Sequence, residues 1–243
     1  MDLKNSNWFS FGDSFTYGAC GVPMVRLEHT YIEYLRDLYN SDGSIVRSGW
    51  PGSSIVQIVC YYLKHAHKIK ENDVVVFMRT TPERLLIPGF SSNHEGDIET
   101  YVGEVPRETL IPINWATVDG RWPSDVWENY DEIFGKNSKR VKQVITDYML
   151  EVHADDAGFR HLHIFYENMI DLCMKDVESK GAHALTIDFM TWWSLKSKHY
   201  YCSCGHWNER GHKVVALNLY DCLEQGTQYL TQDNFIEKND VLL

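Results

Sequence analysis

The N-terminal part of the chain carries a serine in a setting that favours nucleophilic chemistry. The apolar run 7–11 (NWFSF) indicates a first strand, which stops at Gly12 and is followed at once by Asp13 and Ser14 in the segment GDSFTYG. A serine in such a strand-to-helix turn exposes its hydroxyl, but an alcohol is a weak nucleophile and needs a base within hydrogen-bonding reach. The N–H groups of the turn can face a developing oxyanion, and the Asp13 carboxylate is suited to capping the turn.

The segment GDSFTYG resembles the first sequence block of the SGNH hydrolases, also called the GDSL esterase/lipase superfamily. Two further segments are similar to blocks of that family and follow in the family's order. In 48–53 (SGWPGS), Gly52 corresponds to the glycine whose N–H lines the oxyanion hole. In 205–212 (GHWNERGH), His206 corresponds to the catalytic base.

The resemblance implies that Ser14 attacks the carbonyl carbon of a carboxylic ester and that His206 moves the proton. It also implies a three-layer α/β/α sandwich with a mainly parallel, flavodoxin-like sheet. We place Asp13 and Trp50 on the substrate side of the expected site. The family needs no metal or organic cofactor, and we expect none here.

The third block of the family departs from the pattern. It normally carries an Asn that donates a hydrogen bond to the oxyanion, but after the apolar run 73–78 this chain reads RTTPER at 79–84. Loss of one oxyanion donor typically costs about 3 kcal/mol of transition-state stabilisation. We expect the Thr81 hydroxyl to substitute for the Asn, and Arg84 to place a cation near the substrate.

The acid of the triad is also missing from its usual place. The family has Asp three residues before the catalytic histidine, and Ser203 occupies that position here. Three arrangements remain open: a Ser–His dyad, orientation of His206 by a backbone carbonyl, or an acid from elsewhere in the chain. Asp188, at the end of a predicted strand, is the candidate for such an acid.

A zinc site is the main competing interpretation of the C-terminal segment. Cys202, Cys204, His206 and His212 are residue types that bind zinc. However, Cys-x-Cys is a less usual ligand spacing than Cys-x₂-Cys, and no second pair is evident. Use of His206 as a ligand would also remove the base. We therefore assign no metal ligands and expect the cysteines to pack in the loop.

Strands alternate with helices along the chain, which predicts a doubly wound parallel sheet. The predicted strands are 7–11, 44–47, 73–78 and 182–187, and the predicted helices are 29–39, 53–70, two within 138–180, and 208–223. Active sites of such sheets lie at the carboxyl ends of the strands. Ser14, Gly52, Thr81 and His206 all fall there.

We interpret residues 1–243 as a single domain with an irregular insertion at about 82–135, which contains several Gly, Pro and Trp residues. Insertions of this length are typical of lids and binding segments. One strand of the sheet is left unplaced between 84 and 138. Segment 109–118 is its candidate, although Pro112 weakens the assignment.

Charge and hydropathy narrow the class of partner. The formal net charge is −11, and Lys and Arg residues form no block, which disfavours binding to nucleic acid or to an anionic membrane surface. No segment approaches the roughly 18 apolar residues of a membrane span, and the first residues do not resemble a signal peptide. We therefore expect a cytoplasmic protein, or one released by lysis or carried in a particle. The oligomeric state is not predicted.

The expected substrate is a small-molecule or glycan ester, with an acetyl ester of a carbohydrate favoured by family analogy and by the Trp-rich insertion. Two alternatives stay open. The missing Asn and Asp are also compatible with a degenerate SGNH-fold module that binds a ligand or glycan, or that belongs to a particle. The same residues would equally serve acyl transfer to an acceptor alcohol.

Overall fold

The computed structural model describes residues 3–21, 25–50, 53–80, 85–87, 111–113, 135–137, 139–140, 143–144, 147 and 156–237. In chain order, the strands are β1 (Trp8–Gly12), β2 (Ala19–Cys20), β3 (Val25–Arg26), β4 (Ile45–Gly49), β5 (Val74–Met78), β6 (Leu85–Ile87), β7 (Ile111–Ile113), β8 (His183–Ile187) and β9 (Tyr229–Leu230). The helices are α1 (Ser14–Tyr17), α2 (Tyr31–Leu38), α3 (Ile55–His65), α4 (Asp156–Ser179) and α5 (Glu209–Gln225).

The central sheet has five strands in the order β4-β1-β5-β8-β9, and every pair of neighbours is parallel. Connections that join parallel strands need helical crossovers, and these cover both faces of the sheet. The expected three-layer α/β/α fold is therefore confirmed. The chain passes from β1 to β4 on one side and to β5 on the other, so the direction of winding reverses between β1 and β5.

The side chains of β5 show how the layers are held together. Val74, Val76 and Met78 belong to the core cluster that includes residues of α2 and α5. Val75 and Phe77 belong to the cluster that includes residues of α3 and α4. Successive residues of a strand point to opposite faces, so a run that is apolar at every position fits a strand covered on both sides. All five side chains are buried, and each such burial stabilises the fold by roughly 1.5–3 kcal/mol.

Helices α3 and α5 begin at polar caps that the sequence supplies. Ser54 Oγ accepts from the N–H of Gln57 at 3.3 Å, and Gln57 Oε1 accepts from the N–H of Ser54 at 2.9 Å, which makes a capping box. Asn208 Oδ1 accepts from the N–H of Gly211 at 3.1 Å at the start of α5. The Asn208 cap fixes the start of α5 at Glu209, three residues after His206.

The strand assignment near the insertion and the C-terminus differs from the sequence prediction. Strand β7 falls within 109–118, but it pairs antiparallel with β6 in a separate two-stranded sheet. The fifth strand of the main sheet is instead β9, which follows α5 and pairs with β8. Strand β9 has only two residues, which is too short for the alternation of apolar and polar side chains that indicates a strand in the sequence. The rest of the predicted insertion lies almost entirely outside the described residues.

The predicted pair of helices within 138–180 is described only in part. Helix α4 begins at Asp156, and Gly158 lies inside its first turn. Within the described ranges, no helix combines the length and the apolar character that crossing a bilayer requires.

Candidate active site

Ser14 is the first residue of α1, directly after the carboxyl end of β1, and only 4% of its surface is exposed. This end of β1 lies at the position where the winding of the sheet reverses, which is where ligands of doubly wound sheets bind. The first N–H groups of a helix have no intrahelical acceptor. The backbone at Ser14 is therefore positioned to donate to an anionic oxygen.

Asp13 holds this turn in place. Its Oδ1 accepts from the N–H of Phe15 at 3.1 Å, which caps α1 as expected. Its Oδ2 accepts from the Thr80 hydroxyl at 3.2 Å, and Thr80 follows the end of β5. The carboxylate thus ties the turn after β1 to the turn after β5. Both of its oxygens accept hydrogen bonds from the protein.

Gly12 is required by the closeness of the packing beneath Ser14. A Cβ at this position would lie 2.1 Å from Thr16 Oγ1 and 2.6 Å from Met78 Cβ. At the other end of α1, Gly18 has φ +83°, in the left-handed region that glycine adopts without strain. The two glycines of GDSFTYG therefore permit a four-residue helix to pack on the end of the sheet.

A buried network of hydroxyl groups holds α1 against β1 and α2. Tyr31 Oη is 2.8 Å from Ser10 Oγ and 2.5 Å from Thr16 Oγ1. Burial raises the pKa of Tyr31 above its ordinary value, so the phenol is neutral at pH 7. Strand β1, helix α1 and helix α2 are thereby joined by neutral hydrogen bonds.

His206 approaches α1 from the other end of the chain. Its ring centroid is 5.1 Å from that of Phe15, the residue after Ser14. The neighbouring Trp207 is fully buried and its ring centroid is 4.4 Å from that of Phe15. The structure therefore packs the loop before α5 on the helix that begins with Ser14. Among the described residues, no hydrogen bond joins Ser14 to His206, and such pairs are often loose before substrate binds.

The Nδ1 atom of His206 lies 3.1 Å from Cys204 Sγ. The loop around it is tight: the Cys202 N–H donates to the His206 carbonyl at 2.9 Å, and Gly205 adopts φ +83°. The Nδ1 side of the His206 ring is thus occupied by a thiol, where a carboxylate or a carbonyl is expected from the sequence if His206 is a base. The Cys-x-His spacing was visible in the sequence, but nothing in it distinguished this contact from simple packing.

Asp188, the predicted substitute acid, is engaged elsewhere. Its Oδ1 accepts from the N–H of Met190 at 3.0 Å and caps the 3₁₀ helix Phe189–Trp193. It lines a cavity of about 170 Å³ together with Arg79, Glu167 and Tyr229. Within the described part of the chain, Asp188 makes no hydrogen bond with His206. The backbone N–H of Asp188 donates to Leu230 O at 2.9 Å and so continues the pairing of β8 with β9.

Of the remaining predicted site residues, only Trp50 is described. It makes an edge-to-face contact with Tyr17, with 5.1 Å between ring centroids, and so lies beside α1. Gly52, Thr81 and Arg84 lie outside the described residues. In the described ranges, no group of three or more His, Cys, Asp or Glu side chains is arranged to hold a metal ion.

His212 is a fully buried residue of α5. Its Nδ1 accepts from the N–H of Tyr31 at 3.3 Å. Burial lowers the pKa of His212 to about 3, and the nearby charges of Arg47 and His206 act in the same direction. The ring is therefore neutral in the folded protein throughout the physiological range.

We expect His212 to make the protein sensitive to mild acid. Its pKa is about 3 when folded and 6.5 when free, so between these values the unfolded state binds the extra proton and folding stability falls as the pH falls. From pH 7 to pH 5 this residue alone should cost about 2 kcal/mol. In urea titrations at both pH values, His212→Asn, which keeps an acceptor near Nδ1, should lose correspondingly less stability than the wild type. Equal losses in the two proteins would contradict the assignment.

No family model matches the sequence, and no curated protein matches it. A solved crystal structure is similar at 13% identity over 96% of this chain and 80% of the other, with a TM-score of 0.32. A likeness at this level carries no argument about function.

Proposed function

We propose that this protein is a serine ester hydrolase of the SGNH type. The observation that supports it best is the position of Ser14, at the start of α1 where the winding of the sheet reverses, with the His206 loop packed on the same helix through Phe15. Motifs from the two ends of the chain, 192 residues apart by their numbers, therefore meet at one corner of the fold.

In the proposed reaction, the Ser14 hydroxyl attacks the ester carbonyl while His206 Nε2 takes its proton. The backbone N–H of Ser14, with those proposed for Gly52 and the hydroxyl of Thr81, stabilises the oxyanion. His206 returns the proton to the leaving alcohol, and water then hydrolyses the acyl-serine by the same path. Cys204 Sγ holds Nδ1 and so positions the ring, in place of the usual carboxylate.

The proposed substrate is a small acyl ester, such as an acetyl ester of a carbohydrate. The Trp50–Tyr17 pair beside α1 supports it, because aromatic rings of this kind stack on sugar faces. We expect p-nitrophenyl acetate to be hydrolysed faster than p-nitrophenyl octanoate. A preference for the octanoyl ester would instead assign the site to acyl lipids.

A second candidate is a degenerate hydrolase that only binds its ligand. The thiol at Nδ1 and the lack of a Ser14–His206 hydrogen bond among the described residues favour it.

A fluorophosphonate probe separates the two candidates, because it reacts only with an activated serine. We expect stoichiometric labelling that peptide mapping assigns to Ser14, and none in Ser14→Ala. Ser179→Ala, which removes an exposed serine at the end of α4, should label like the wild type. A folded wild type that stays unlabelled would favour the binding module.

A further inference from the structure

Three cysteines that the proposed hydrolysis does not consume meet beside His206. Cys202 Sγ and Cys204 Sγ are 3.2 Å apart. The N–H of Gly21 donates to Cys204 Sγ at 3.2 Å, and the thiol of the preceding Cys20 is close enough to interact with the Cys202 thiol. Residues about 180 positions apart in the chain thus converge on one group of sulfur atoms. All three cysteines are free and partly exposed.

The environment separates the cysteines by acidity. Burial raises the pKa of the Cys202 thiol, but hydrogen bonds from Cys20, Cys204 and the N–H groups of Gly21 and Cys204 outweigh it and lower that pKa below its ordinary value. Burial, together with the interaction with Cys202, raises the pKa of Cys20 to about 12. Burial and the interaction with Cys202 also raise the pKa of the Cys204 thiol, so Cys202 is the most readily deprotonated of the three. Thiolates are the form that oxidants attack.

We propose that Cys202 and Cys204 form an oxidation site, at which a hydroperoxide converts the pair into a disulfide. The Cys202 thiolate attacks one oxygen of hydrogen peroxide, the O–O bond breaks, and hydroxide leaves. Cys202 is now a sulfenic acid. Cys204 loses its proton and attacks this sulfur, forming the S–S bond and releasing the second oxygen as water. Two thiols and one peroxide give one disulfide and two waters.

We assign Cys204 as the thiol that attacks the sulfenic acid because of its position. Its sulfur is 3.2 Å from that of Cys202, and the hydroxide that leaves in the first step takes its proton. Cys20 stays protonated and acts as a donor to Cys202. The consequence for catalysis rests on the proposed function: the disulfide removes the Cys204 thiol from Nδ1 and so switches off the base.

Peptide mapping under non-reducing conditions tests the site without any reference to hydrolysis. After treatment with hydrogen peroxide and alkylation, the tryptic peptide that begins at His199 and ends at Arg210 should be unalkylated and lighter by two hydrogens. Cys202→Ser should abolish the product, whereas Cys20→Ser should retain it. Cys60, Cys173 and Cys222 should remain alkylated and serve as internal controls.

The result that would overturn the proposal is full alkylation of Cys202 and Cys204 in treated protein, or a cross-link to the peptide that carries Cys20. The link to catalysis is measured separately. Peroxide should lower the hydrolysis rate of the wild type, and dithiothreitol should restore it. The hydrolysis rate of Cys202→Ser should not change when peroxide is added. If the disulfide forms but the protein has no esterase activity, the oxidation site is supported and only the proposed function is rejected.

Discussion

Replacement of either Ser14 or His206 by alanine is expected to lower kcat/KM for p-nitrophenyl acetate by about 10³-fold or more. The alcohol and the imidazole act as a unit, so loss of either should cost nearly as much as loss of both. The double variant should therefore be no slower than the slower single variant. Initial rates of p-nitrophenol release, measured beside the wild type, give all three values.

The matched controls for this experiment lie far from the site. His67→Ala removes an exposed histidine of the 3₁₀ helix Ala66–Lys68, and Ser179→Ala removes an exposed serine. Both should keep the wild-type rate. Folded Ser14→Ala and His206→Ala proteins that hydrolyse the ester as fast as these controls would rule out the proposed mechanism. A folded wild type with no activity above background would instead favour the second candidate, a degenerate hydrolase that only binds its ligand.

Trp207→Ala is expected to destabilise the fold by about 3–5 kcal/mol, the usual range for removal of a buried Trp from a core. The side chain is fully buried, and its ring contacts Phe15 on one side and His212, 5.6 Å away between centroids, on the other. Its loss would leave a cavity between α1 and α5. Chemical denaturation followed by circular dichroism measures the change in the free energy of unfolding.

Two further variants make this measurement specific. Trp207→Phe keeps most of the contact with Phe15 and should cost clearly less than the alanine change. Leu172→Ala, at a side chain of α4 that is 65% exposed, should stay within about 0.5 kcal/mol of the wild type. If Trp207→Ala were as stable as Leu172→Ala, Trp207 would contribute no buried contact. That result would contradict the packing of the His206 loop on α1.

The candidate site could be predicted in part. The sequence places Ser14 after a strand and His206 before a helix, and both positions are as expected, because caps, turns and strand ends are set by neighbouring residues. It named Asp188 as the candidate partner of His206 and did not point to Cys204, whose Sγ lies at Nδ1. That choice depends on the exit direction of the chain from β8 and on the turn at Gly205, neither of which has a local pattern.

The sequence by itself determined the class of the fold. Apolar runs such as β5, and the amphipathic patterns of α2, α3 and α5, specify strands buried on two faces and helices that cover them. These signals are local, because periodicity records only which way neighbouring side chains point.

Only the tertiary structure decided which segments meet. It assigned β9 rather than β7 to the central sheet, brought Cys20 to the loop of Cys202 and Cys204, and used Asp188 to cap the 3₁₀ helix Phe189–Trp193. The physical reason is that contacts between distant residues follow from strand order and layer packing. These are settled by the total apolar area buried and by the hydrogen bonds satisfied across the whole chain, and no single segment carries that information.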